Sequence, residues 1–286
     1  MDFEPDDTQT AVLTGLDQLI ASLGIDTPIE PSFSEFSPQL DAELQASGFL
    51  DIAREEEFSV LEAALIVERV ARLPRSAEAA ASALIGPLFE AGEVARPLAL
   101  ARGSALAPAR FLPQAGTLIV DAGDSLQLVG VNRDRVERMD TLFAYPYGKL
   151  ASLDGLAVRT VTGGIVGDVR RRWRLAIAAE SAGLMQSALD TVVEHVKTRH
   201  QFGRPLGSFQ AIQHRLAAAA STSNATRLLA LGMEITDVQR FLGHEDIATT
   251  RRYAETTAAV LRRRFDQLTD PMADRLVAAV QHRRGD

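Results

Sequence analysis

The residues best placed to do chemistry lie in RHQFGRPLGSFQAIQHRLA, residues 199–217. Two arginines, two glutamines and two phenylalanines lie within residues 199–210, around Gly203 and Pro205. Gly203 lets the chain turn sharply, and Pro205 suits the first turn of a following helix. Arg199 could satisfy the carbonyl end of the preceding helix, and Phe202 and Phe209 could be core. The alternative is an exposed ligand-facing segment, and charge leaves both readings open. Residues 1–100 carry 5 basic and 19 acidic groups, whereas residues 101–221 carry 15 and 10. Surplus arginine in the middle could face a phosphate-bearing cofactor or simply form a solvated surface. The acidic first third repels nucleic acid and anionic membranes.

The 286 residues have no cysteine, which excludes disulfides and thiolate metal sites. Apolar runs are short, so no membrane span is expected. The N-terminus lacks a signal pattern, and a cytoplasmic protein is the default.

The elements that must position the motif follow from periodicity. Residues 6–24 read as a helix, with Leu13, Leu16, Ile20 and Leu23 at helical spacing and Gly24 at its end. Further helices are expected at 39–47, 57–73 and 76–85. From about 97 to 165 short apolar runs (LALARG, ARFL, GTLIVDAG, SLQLVGV, GLAVRTVTGG) alternate with Gly, Asp and Pro and read as strands. Residues 168–198 return to helix. Leu175, Ala178, Ala182, Met185, Leu189, Val192, Val193 and Val196 are its expected core stripe. Thirty residues span roughly 45 Å, a length suited to a bundle. Helices, strands, then helices point to a mainly α protein with a small inserted β-domain.

The pattern R-x-Q-F-G-x-P-L-x-x-F-Q-x-x-x-H-x-L-A, preceded by AIAAESAGLMQSALDTVVEHVKTR, closely resembles the acyl-CoA dehydrogenase family. The resemblance is strong over about 170–218, fair over 1–95 and weak over 96–165. It implies a truncated acyl-CoA dehydrogenase-like helical bundle, FAD as cofactor and an acyl-CoA substrate oxidised at its Cα–Cβ bond. In such enzymes this segment reaches across a subunit interface to the neighbour's FAD. Carried over, Arg199 would pair with the pyrophosphate, for which a guanidinium fork is suited. Gln201 would bond near the same phosphates. Phe202, Leu206 and Phe209 would pack on the adenosine portion, and Gln210 would bond a polar edge of it.

Three departures weaken the implied activity. The β-domain lacks the family's flavin-edge segment, and Trp173 lies on the long helix instead. The late catalytic Glu has no counterpart. Where a minority of members carry the base on the long helix, this chain reads Trp173-Arg174-Leu175. Proton abstraction needs a positioned base; no catalytic residue is nominated, and Glu180 is read as packing. Some dehydrogenases acting on steroid or other bulky side chains pair two related subunits. The departures suit an accessory subunit in a homo- or hetero-oligomer, with electron-transfer flavoprotein as acceptor if it is active.

From about 223, SNATRLLALGMEITDVQRFLGHEDIATTRRYAETT resembles the end of a tyrosine recombinase. His244 and Tyr253 match that family's Leu-Gly-His box and nucleophile. The resemblance implies attack of the Tyr253 hydroxyl on a DNA phosphodiester, with His244 on a phosphate oxygen. The arginines, lysine and second histidine needed around the phosphate are absent, so DNA is not an expected partner. The expected organisation is thus a helical domain over 1–95, a β-domain over 96–166 and the start of a helical bundle over 167–222. A short all-α tail over 223–286 follows. A DNA-binding recombination protein and a non-functional gene fusion are the competing readings.

Overall fold

The structure is a computed structural model that describes residues 6–28, 32, 34–141, 144–230 and 238. The chain forms two compact units, Met1–Ala188 and a second beginning at Leu189.

The first unit opens with helices whose ends are written in sequence. Helix α1, Asp7–Leu23, starts at a capping box between Asp6 and Gln9 and stops at Gly24 in the left-handed region. Helix α2, Pro38–Ala46, is capped by Ser37 with Pro38 in its first turn. Helix α3, Val60–Ala71, begins at a second capping box, Ser59 with Glu62, and buries most of its length. Leu16, Leu40, Leu44, Ile66 and Leu84 meet in one core.

Helix α4 covers only Ala80–Leu84, shorter than the 76–85 expected. The preceding residues are committed elsewhere. Ser76 pairs with the strand-like segment at Phe36. The Glu78 carboxylate accepts from the backbone N–H groups of Ala81 and Ser82 at 2.9 and 3.3 Å. It therefore caps the helix instead of lying within it.

The β-region holds two sheets. Strands β1 (Leu98–Arg102), β3 (Thr117–Asp121), β4 (Ser125–Gly130) and β7 (Val158–Thr162) lie in the order β1-β3-β4-β7, with β1 and β3 parallel. Strands β2 (Ala109–Arg110), β6 (Tyr147–Leu150) and β5 (Val136–Met139) form the second. The five apolar runs correspond to β1, β2, β3, β4 and β7; β5 and β6 are additional. The ARFL run gives only two strand residues, because Phe111 turns into the left-handed region at φ 63°.

Helix α5, Gly164–Thr198, spans 35 residues, or about 52 Å. Its expected core stripe is corrected: of those eight positions only Ala182 and Val196 are buried, and Val192 is 46% exposed. The buried face instead follows Val166, Val169, Ala176, Ala179 and Gly183. Close approach decides this. A Cβ on Gly183 would sit 2.2 Å from the Glu68 carbonyl oxygen of α3. Small residues therefore face α3, and the larger aliphatics are displaced sideways. The Ser187 hydroxyl then donates to the Arg72 carbonyl at 2.9 Å, satisfying the end of α3.

In the second unit a hairpin of β8 (His200–Gln201) and β9 (Arg204–Pro205) leads to helix α6, Gln210–Ala230. Helix α6 runs unbroken through 222–223, where the sequence suggested a junction.

Candidate functional site

The motif is built as a tight hairpin. The Arg199 N–H donates to His195 O at 2.9 Å, and the Leu206 N–H donates to Arg199 O at 2.8 Å. Between β8 and β9 the two turn residues, Phe202 and Gly203, have φ of 54° and 79°. Two successive positive φ values give the turn whose twist matches a two-residue hairpin. Glycine meets that demand freely, whereas a phenylalanine there costs on the order of 1–2 kcal/mol. The Phe202 ring is nevertheless 90% exposed. Its ring meets Phe209 edge-on at 6.2 Å, and the Arg204 guanidinium lies 4.1 Å from the centre of the Phe209 ring. Such contacts stiffen the tip of the hairpin.

Arg199, Gln201, Phe202 and Gln210 are exposed, while Leu206 and Phe209 are half-buried. The alternative of Phe202 as core is thereby excluded. Pro205 is corrected: it closes β9 with φ −57° and ψ 143°, and α6 begins only at Gln210 after the turn Leu206–Ser208. That turn is held by the Gln213 side-chain amide donating to Gly207 O at 2.8 Å. The hairpin offers two guanidinium cations, two amides and an exposed aromatic ring, but no carboxylate to act as a base. His244 and Tyr253 lie outside the described residues.

A second constellation lies in the first unit and was missed from sequence. Arg110, at the end of β2, donates to the Glu180 carboxylate of α5 at 2.5 Å. The guanidinium lies 4.7 Å from the Tyr145 ring centre and 5.2 Å from that of Phe111. Burial opposes its charge, but Glu180, Tyr145 and Tyr147 outweigh that and hold the guanidinium above its ordinary value. Burial, then the Glu180 charge, pushes the Tyr145 phenol up. Open clefts of about 200 and 310 Å³ border Glu180, and Arg110 lines the larger. Trp173 lines the larger one on the same face of α5, two turns before Glu180. A lone carboxylate within the small-residue run AIAAESAG signals a buried charge that must find a partner. Nothing local in sequence identifies that partner as residue 110.

A third buried cluster is structural. Arg96 donates to the Ser82 hydroxyl at 2.6 Å and to Glu78 O at 2.8 Å, and reaches Asp41 at 3.3 Å. Glu78 also accepts from the Leu98 N–H at 2.9 Å, tying α4 to β1. Burial pushes the Glu78 carboxyl up to about 7, against the pull of Arg96 and Ser82. Among the described residues no group of three or more His, Asp or Glu could hold a metal ion. No helix among them is long and apolar enough to cross a membrane.

Residues 171–233 match the family model for the C-terminal domain of acyl-CoA dehydrogenases. The match covers the hairpin and continues past the junction expected near 219–223. A 3-(aryl)acrylate reductase of Clostridium sporogenes is 45% identical over 56 residues, 20% of this chain and 15% of that protein. The mitochondrial isovaleryl-CoA dehydrogenase of Oryza sativa subsp. japonica is 48% identical over 54 residues, 19% of this chain and 13% of that protein. The matched segments thus span under a fifth of those relatives. The ChsE4-ChsE5 complex of Mycobacterium tuberculosis contains a chain similar in fold, with a TM-score of 0.58 and 17% identity. The similarity covers 94% of this chain and 99% of that one. At that identity the likeness is one of fold. The fold is that of acyl-CoA dehydrogenases, helical with a small β-region.

Proposed function

We propose that this chain is an acyl-CoA dehydrogenase-type flavoprotein subunit of the accessory kind. In this reading its hairpin serves the FAD of a neighbouring chain, and no complete active site lies within the chain itself. The observation that carries the reading is Phe202, held at positive φ with its ring in solvent at the tip of a braced hairpin. A phenylalanine kept in a costly conformation without burial among the described residues is suited to being covered by another molecule.

The residues fit the group. Arg199 would hold the FAD pyrophosphate by charge-assisted hydrogen bonds, and Gln201 would add a neutral donor beside it. Phe202, Leu206 and Phe209 would cover the adenosine portion, and Gln210 would bond its polar edge. The flavin, when bound, supplies the hydride acceptor for Cα–Cβ oxidation of an acyl-CoA thioester. This chain's own contribution is to bind and orient. Trp173 occupies the position where the resemblance would place a base, and Glu180 is neutralised by Arg110. The neighbour would be a second copy or a related dehydrogenase chain. An assembled, active complex would pass electrons to an electron-transfer flavoprotein in the cytoplasm.

The test combines flavin absorbance with turnover. The chain alone is expected to show little oxidation of octanoyl-CoA with an artificial electron acceptor, and robust turnover would refute the accessory reading. In an assembled oligomer, Arg199→Ala is expected to lower FAD retention about tenfold, the loss of one charge-assisted contact. Unchanged retention would remove the hairpin from the cofactor.

A further inference from the structure

The hairpin stands in a stretch of one sign. Residues 195–233 hold five Lys or Arg and no Asp or Glu, in a chain whose net charge is −8. No carboxylate close in sequence can neutralise the hairpin's arginines. Arg199 and Arg204 are both exposed, and neither side chain forms an ion pair or hydrogen bond among the described residues. Exposed cations gathered without counter-charge favour an anionic ligand.

Arg204 is held where Arg199 is free. Its guanidinium lies 4.1 Å from the centre of the Phe209 ring. Stacking uses the flat face of a guanidinium and leaves its N–H donors, which lie in the plane, available. A free arginine loses rotamer entropy when a ligand fixes it. Here the ring has already limited that freedom, so less is lost on binding. The register adds direction. Gln201 and Arg204 stand directly opposite one another across β8 and β9, so their side chains leave the same face of the ribbon. An amide and a stacked guanidinium thus flank one spot from two strands.

We infer that Arg204 is a further phosphate contact, which grips a pyrophosphate together with Arg199 while Phe209 holds its guanidinium in position. The inference rests on the proposed cofactor reading, which uses Arg199 and Gln201 and leaves Arg204 without a role. A guanidinium fork matches the oxygens of one phosphate group. Two forks match the linked pair that a dinucleotide carries.

The experiment uses the full chain with ADP and adenosine as probes, followed by NMR titration at low salt, where exposed charges are least screened. ADP should bind more tightly than adenosine. Arg204→Gln should weaken ADP about tenfold, the loss of one charge-assisted contact, and leave adenosine unchanged. Arg204→Lys keeps the charge but loses the fork, and should fall between wild type and Arg204→Gln. Arg204→Met keeps a stem on Phe209 without charge; it should match Arg204→Gln, which separates lost charge from a loosened hairpin. Adenosine weakened as much as ADP would reduce Arg204 to a brace for Phe209 and overturn the inference. ADP binding that Arg199→Ala weakens and Arg204→Gln does not would overturn it while supporting the cofactor reading. No ADP binding by wild type at millimolar concentration would also overturn it, and flavin retention in the assembled oligomer would then judge the cofactor reading separately.

Discussion

The hairpin at 199–210 and the Arg110–Glu180 cleft differ in how they handle burial. The hairpin leaves Arg199, Gln201, Phe202 and Gln210 in solvent and accepts backbone strain at Phe202. The cleft hides two charges and binds them to each other. The hairpin is made by twelve consecutive residues; the cleft joins residues 70 positions apart. A local element can be shaped to meet another molecule without disturbing a core. A cleft can be closed only by side chains that the whole fold brings together.

The strongest way to break the cleft is through the helix crossing beneath it. Gly183→Val places side-chain atoms where the Glu68 carbonyl stands. It should destabilise the first unit by about 3 kcal/mol in urea unfolding. An unchanged midpoint would show that α5 is free to move from α3. Next comes Arg110→Ala, which leaves Glu180 buried and unpaired. Such losses are typically 3–5 kcal/mol; with Arg110 partly exposed, about 2 kcal/mol is expected. Adding Glu180→Gln should recover much of that, and a failure to recover would deny that the lone charge is the cause.

Acidity sharpens the contrast between buried and exposed groups. The folded chain holds the Glu78 proton up to about pH 7, against an ordinary carboxyl value of 4.5. The folded state therefore binds that proton more tightly than the unfolded state. The resulting stability is full below pH 4.5 and is lost as pH rises through 7. Urea titrations across this window should show the decline, and Glu78→Gln should remove this contribution. A variant that kept the same slope would place its origin elsewhere.

The smallest effects belong to the hairpin. Gly203→Ala should cost about 1 kcal/mol, because alanine resists its φ of 79°. Phe202→Gly should be neutral or stabilising by about 0.5 kcal/mol, since it relieves the positive-φ strain at that position and removes little besides the edge contact with Phe209. The assembled oligomer should nevertheless lose flavin. A stable variant with undiminished flavin would make the exposed ring irrelevant to the cofactor.

Much of this was legible along the chain. The first helix was read from its periodicity and Gly24, whereas the third was begun at 57 and the Ser59–Glu62 capping box starts it at Val60. The turn at Gly203 was likewise readable. The shortened α4 was not, because Glu78 could be read as a helix interior until Asp41, Arg96 and Leu98 claimed its environment. The buried face of α5 was misread for a related reason. Periodicity weights large aliphatics, whereas a crossing helix selects whatever is smallest at the point of contact.

The sequence by itself determined the succession of helices, then a strand region, then helices, and the turn of the hairpin, all set by interactions among near neighbours. Only the tertiary structure decided which face of α5 is inside, that Phe202 is outside, and that Glu180 has Arg110 as its partner. Those outcomes depend on close approach and desolvation between distant segments, and neither quantity is defined until the chain has folded.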